Sequence, residues 1–121
     1  MLGTFVLSAG YYDAFYSRAQ KVRRLILEST EKILDEHDFI ILPTTPAAAF
    51  KIGASGNDPV QSFLADIFTV QANLSGIPAI SLPLGKDENG LPFGVQVMSA
   101  RFNESELFAF SEYLMKKFTI P

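Results

Sequence analysis

DIFTVQANLSGIPAISLPLG, residues Asp66 to Gly85, carries a helix end, a stop and a buried strand in one short run. Leu64, Ile67, Phe68, Val70, Ala72 and Leu74 make the helical part apolar on most sides, and such a helix is normally buried. Gly76 fits a helix C-terminal position, and Pro78 forbids continuation. Ala79, Ile80, Leu82 and Leu84 then form a short apolar strand interrupted by Ser81 and Pro83. Asp66 is the one acid inside the helix, which should run from about Pro59 to Leu74. A carboxylate buried there is costly unless a cation meets it. Two readings of Asp66 follow: a binding group for an amino or guanidinium function, or a helix acid paired to a structural partner.

The same logic extends upstream. Pro59 opens that helix, with Asp58 as a plausible N-cap. The small and polar residues from Ala47 to Asp58 read as a loop. Before it, Phe39–Leu42 is a short buried strand closed by Pro43-Thr44-Thr45-Pro46. Hydroxyls at such a strand end line a cleft or bond locally in a turn, and the sequence leaves both open. From Tyr11 to Glu36, Phe15, Ala19, Val22, Ile26, Ser29 and Ile33 recur at steps of four and three, the apolar face of a long helix. Arg18, Lys21, Arg23 and Arg24 form a basic cluster on it, either a solvated face or a contact for RNA or an acidic partner. His37, the one histidine, follows this helix and reads as a surface residue; Asp35, Glu36 and Asp38 do not complete a metal site with it. Leu2 to Ala9 resembles the last turns of a helix closed by Gly10, a beginning that suggests truncation.

Downstream, Asn89-Gly90 marks a hairpin. The segment Pro92–Ser99 alternates, with Phe93, Val95 and Val97 on one side and Gln96 and Met98 on the other, and should return antiparallel to the preceding strand. Asn103 or Ser105 caps a last helix with Glu104 and Glu106 in its first turn and Lys116 and Lys117 near its end. The expected architecture is α/β: a mixed sheet of about three strands with packed helices in the order α-α-β-α-β-β-α. The first two strands, straddling a helix, should be parallel or nearly adjacent. Residues 1–121 read as one domain.

Bulk properties narrow the function. Of the 121 residues 48 % are hydrophobic, and mean hydropathy is +0.19, so the chain either buries surface against a partner or is a piece of something larger. No apolar run approaches the ~20 residues that span a bilayer. The lack of cysteine removes disulfides, thiolate metal sites and a cysteine nucleophile, and fits a cytoplasmic setting. A net charge of −3 argues against general phosphate binding. The sequence contains no GxSxG, HExxH, P-loop or GxGxxG.

Four segments in order, SAGYYDAFYSRAQKVR, ILPTTP, DIFTVQANLSGIPAISLPLG and LPFGVQVMS, resemble the C-terminal part of the amidase signature family. The nearest likeness is to the branch that provides the glutamine-hydrolysing component of the aspartyl/glutamyl-tRNA amidotransferases. The resemblance implies a fragment of the larger amidase fold. It implies glutamine hydrolysis by two serines and a lysine, all upstream of this chain. Ammonia would pass to a partner subunit, where misacylated tRNA is amidated. The B and C subunits of such a complex would be the partners. ATP and Mg²⁺ would be used by the partner, with no cofactor held here. Gly53-Ala54-Ser55-Gly56 does not match the Gly/Ser-rich signature. The resemblance places Asp66 as the acceptor of the α-amino group of glutamine; the arginine for the α-carboxylate precedes the MLGT-like stretch, outside this chain. The isolated chain is thus expected to hold no catalytic residue and no metal, and to be inactive. Two rival readings are a portion of a stand-alone amidase for small or aryl amides and a non-catalytic scaffold that self-associates.

Overall fold

The structure, a computed structural model, describes residues 15–52 and 59–118. The readings placed on Leu2–Gly10, on the Gly53–Gly56 loop and on Asp58 as a cap lie outside the described residues. Chain order is α1 (Ser17–Glu36), β1 (Phe39–Pro43), α2 (Pro59–Ala65), α3 (Val70–Ser75), β2 (Ala79–Lys86), β3 (Pro92–Ser99) and α4 (Glu104–Phe118).

The three strands form one sheet in the order β1-β3-β2, with both pairings antiparallel. β1 and β2 therefore run the same way, with β3 inserted between them. The hairpin return explains this. Asp87 Oδ1 accepts the amide N–H groups of Asn89 (2.9 Å) and Leu91 (2.8 Å), and Gly90 takes φ +79°. The tight turn lays β3 directly on β2, and the other edge of β3 then accepts β1. As the central strand, β3 buries Gln96, Val97, Met98 and Ser99.

Strand alternation gives the sheet two apolar faces. Ile80, Leu82 and Val97 pack with Phe39 and Leu84 against Leu107, Phe110, Leu114 and Met115 of α4. The rings of Phe39 and Phe110 stack with centroids 4.3 Å apart. On the other face Ile40, Leu42 and Met98 meet Ala72 and Ile77 beside α3 and Leu34 of α1. The result is α4, then the sheet, then α1 with α3. Helix α4 places Glu104 and Glu106 in its first turn and Lys116 and Lys117 in its last, each charge suiting the dipole end it occupies. Asn103 lies just before it, its Nδ2 donating to Glu106 Oε2 at 2.8 Å.

Two expectations are corrected. The segment from Pro59 is not one helix: α2 ends at Ala65, residues 66–69 form a turn, and α3 restarts at Val70. Ile67, Thr69 and Val70 are β-branched and weaken the helix slightly, the Thr69 hydroxyl competes for the Asp66 carbonyl at 3.1 Å, and Gln96 Nε2 takes the Phe68 carbonyl at 2.9 Å. The apolar stripe of α1 also does not face the sheet. Phe15 is 62 % exposed, Val22 54 % and Ile33 45 %, and Ala19 and Ser29 are exposed too. Instead α1 turns Thr30, 1 % exposed, and Leu34 inward. Thr30 Oγ1 donates to Ile26 O at 2.7 Å and accepts from Gln71 Nε2 (3.1 Å) and Ser75 Oγ (3.3 Å). A buried hydroxyl shared by three partners selects this orientation over the purely apolar one.

Candidate functional site

Asp66 begins the turn between α2 and α3, and it is exposed, not buried. The cost that made a buried acid suspicious is therefore absent, because the helix breaks at this residue. Its backbone is nonetheless held closely. Asp66 O accepts the amide N–H of Thr69 (3.1 Å) and of Val70 (3.1 Å), besides the Thr69 hydroxyl. Asn73 Nδ2 donates to Thr69 O at 2.9 Å. Gln96 Nε2 reaches from the central strand to Phe68 O, also at 2.9 Å. Among the described residues no cation lies within ion-pair distance of the Asp66 carboxylate and no hydrogen bond reaches it.

The turn borders a groove between α3 and the sheet, lined by Thr69, Asn73, Gly76, Ile77, Ser81 and Gln96. Its lining is neutral, with hydroxyls and carboxamides set among apolar groups. Beside it, Thr44 Oγ1 and Ser81 Oγ hydrogen-bond at 2.9 Å. They come from opposite sides of β3 and meet over Gly94. A Cβ at residue 94 would stand 3.0 Å from Thr44 Oγ1 and 3.1 Å from Ser81 Oγ. Of the two threonines after β1, Thr45 Oγ1 donates locally to Ala47 O at 2.9 Å, the turn reading left open above, and Thr44 bonds Ser81 across the sheet without lining the groove.

His37 is exposed at the end of α1. Among the described residues no group of His, Cys, Asp and Glu side chains could hold a metal ion. The basic cluster splits as well. Arg23 Nε donates to Leu74 O at 2.9 Å, and Arg24 pairs with Glu28 at 2.8 Å, which raises the Arg24 pKa through that hydrogen bond. Arg18 and Lys21 are exposed. No helix among the described residues is long and apolar enough to cross a membrane. Sequence reading does not single out Gln96, Gly94 or Asn73. Gln96 does leave a signal, as the one carboxamide in a strand that is apolar but for its terminal Ser99.

The chain resembles known proteins over most of its length. The A subunit of a glutamyl-tRNA(Gln) amidotransferase from Halothermothrix orenii is 53 % identical over 107 residues, covering 88 % of this chain and 22 % of that relative. Its namesake from Legionella pneumophila is 53 % identical over 113 residues, 93 % of this chain and 23 % of the relative. The chain thus spans under a quarter of the length of these relatives. Among solved structures, the A subunit of the glutamyl-tRNA(Gln) amidotransferase of Thermotoga maritima superposes with a TM-score of 0.75 at 50 % identity, over 89 % of this chain and 24 % of that one. A 6-aminohexanoate cyclic dimer hydrolase superposes with a TM-score of 0.74 at 28 % identity, over 92 % and 25 %. The profile of the Amidase family matches residues 1–108. Matched by that profile along most of its length, and about half identical to several curated relatives, the chain belongs to the Amidase family.

Proposed function

We propose that this chain is the part of a glutamine-hydrolysing amidase, of the tRNA-dependent amidotransferase type, that receives the substrate's α-amino group. Asp66 is its acceptor. The observation that carries the reading is a carboxylate in solvent, without a cation among the described residues, on a turn fixed by five hydrogen bonds. A surface acid left unpaired on a held backbone is suited to an incoming ammonium, because neither partner needs reorganising. Identity of about half to relatives named for glutamyl-tRNA(Gln) favours this branch over a stand-alone amidase. In this proposal the two serines and the lysine belong to chain outside residues 1–121. The B and C subunits and misacylated tRNA are partners of the whole complex, which is cytoplasmic, with ATP and Mg²⁺ held by the partner.

The chemistry divides accordingly. The serine that attacks the side-chain amide, the second serine and the lysine make and break bonds elsewhere. This segment binds and orients one end of the substrate. The test uses the assembled amidase, meaning this chain together with the core that supplies those three groups. Asp66→Asn should raise KM for glutamine by about one to two orders of magnitude, the scale of a lost charge-assisted contact. It should change kcat little. An unchanged KM overturns the assignment, and glutamine turnover by residues 1–121 alone overturns the placing of the nucleophile outside them.

A further inference from the structure

We infer that Gln96 is a positioning residue: it sets where Asp66 stands and thereby the affinity for the α-amino group. This rests on the reading of Asp66 given above. Gln96 is 5 % exposed and sits on the central strand, paired with Leu42 on one side and Ser81 on the other. A residue laddered on both sides is among the best fixed in a sheet. Its Nε2 donates to Phe68 O at 2.9 Å, and this is the one hydrogen bond from sheet to turn among the described residues.

The turn needs that tether. It joins helices of seven and six residues, each too short to hold its shape in isolation. Packing holds it only in part: Phe68 and Thr69 are half-buried, but Ile67 is 52 % exposed and the flanking Leu64 and Val70 are 49 % and 43 % exposed. Asp66 is two residues from Phe68, and its own carbonyl closes the turn onto Thr69 and Val70. Displacing Phe68 therefore displaces Asp66. A buried carboxamide is also costly where valine or leucine would serve the apolar strand, unless its hydrogen bond is needed.

The test compares two substrates on the assembled amidase: glutamine, and butyramide, which has an amide but no α-amino group. Gln96→Met keeps the bulk and removes the donor. It should raise KM for glutamine about tenfold with little change in kcat, and leave kcat/KM for butyramide unchanged. Amide hydrogen exchange at Thr69 and Val70 should quicken about tenfold, while that of Val97 does not. Gln96→Glu adds a readout that a packing role would not move. Its carboxyl donates to Phe68 O only when protonated, so KM for glutamine should return toward the parent's as pH falls, measured against the parent's own profile.

Equal losses on both substrates overturn positioning in favour of a general structural role, as does failure of both variants to fold. Unchanged KM for glutamine in Gln96→Met, with Asp66→Asn impaired, overturns this inference and leaves the amino-group reading standing. Unchanged KM in Asp66→Asn overturns that reading, and this one with it.

Discussion

At the scale of single residues, Gly94 has the clearest reason to be what it is. The hydroxyls of Thr44, just after β1, and of Ser81 on β2 meet across β3 because residue 94 carries no Cβ. Gly94→Ala would place a methyl group against both oxygens and near Leu82 O, which lies 3.4 Å from the built Cβ. Ser81 is on β2 and the Thr44 amide donates to Gly94 O at 3.0 Å, so neither oxygen withdraws easily and the hydrogen bond between them lengthens or breaks. The expected destabilisation is about 1–2 kcal/mol, read as a lower urea midpoint at unchanged slope. Gly85 makes the useful contrast. There a Cβ would fall 2.3 Å from the Phe93 ring, a closer clash, but the ring is 44 % exposed and its far end can swing into solvent. Gly85→Ala should therefore cost less than Gly94→Ala, despite the shorter distance. The opposite order would show that the Phe93 ring, not the hydroxyl bridge, locks the sheet.

Among the elements, α3 depends most on its surroundings. Six residues do not sustain a helix. Arg23 and Arg101 donate to the carbonyls of Leu74 and Ser75, each at 2.9 Å, and Gly76 closes the end with φ +65°. Arg101 also lies 3.7 Å from Glu31 of α1. Below, Thr30 accepts hydrogen bonds from Gln71 and Ser75. Thr30→Val keeps the shape and strands both donors, so it should cost about 1–3 kcal/mol by chemical denaturation; a neutral result would mean that the network contributes only orientation. This element also shows how far the sequence is legible. The stop at Gly76-Ile77-Pro78 is readable because left-handed glycine and proline act locally. So are the hairpin at Asn89-Gly90 and the charges on α4. The break at residues 66–69 is not, because three β-branched residues lower helix propensity only slightly and the deciding contact, Gln96 to Phe68 O, spans 28 residues of sequence. Periodicity singles out Asp66 for a burial it does not have, while the family resemblance singles it out as an amino-group acceptor. It remains the candidate on that resemblance and on a closely held backbone, and no periodicity could reveal the latter.

For the whole molecule, the outward stripe of α1 is the controlling fact. Val22, Leu25, Ile26, Ser29 and Ile33 line an apolar groove with Thr30 and Gln71 at its floor. Phe63 on α2 is 81 % exposed, and Phe50 is 71 % exposed. Periodicity identifies the apolar face but names no neighbour for it, since the pattern records that a face is apolar and not which segment covers it. Covering one large aliphatic or aromatic side chain is worth about 1.5–3 kcal/mol. Several together exceed what a small domain of marginal stability can leave in water without consequence. For the proposed enzyme the expectation is that chain outside residues 1–121 covers this face. Freed of that cover, the isolated chain should self-associate at micromolar concentration and bind a hydrophobic dye, as seen by light scattering and fluorescence. Val22→Glu with Ile33→Lys should reduce both signals, because the substitutions charge the stripe without touching Thr30 or Leu34. The same pair placed in the assembled amidase should weaken its assembly, whereas Asp66→Asn should impair glutamine binding and leave assembly intact. A monomeric chain that binds no dye would mean that the stripe needs no cover.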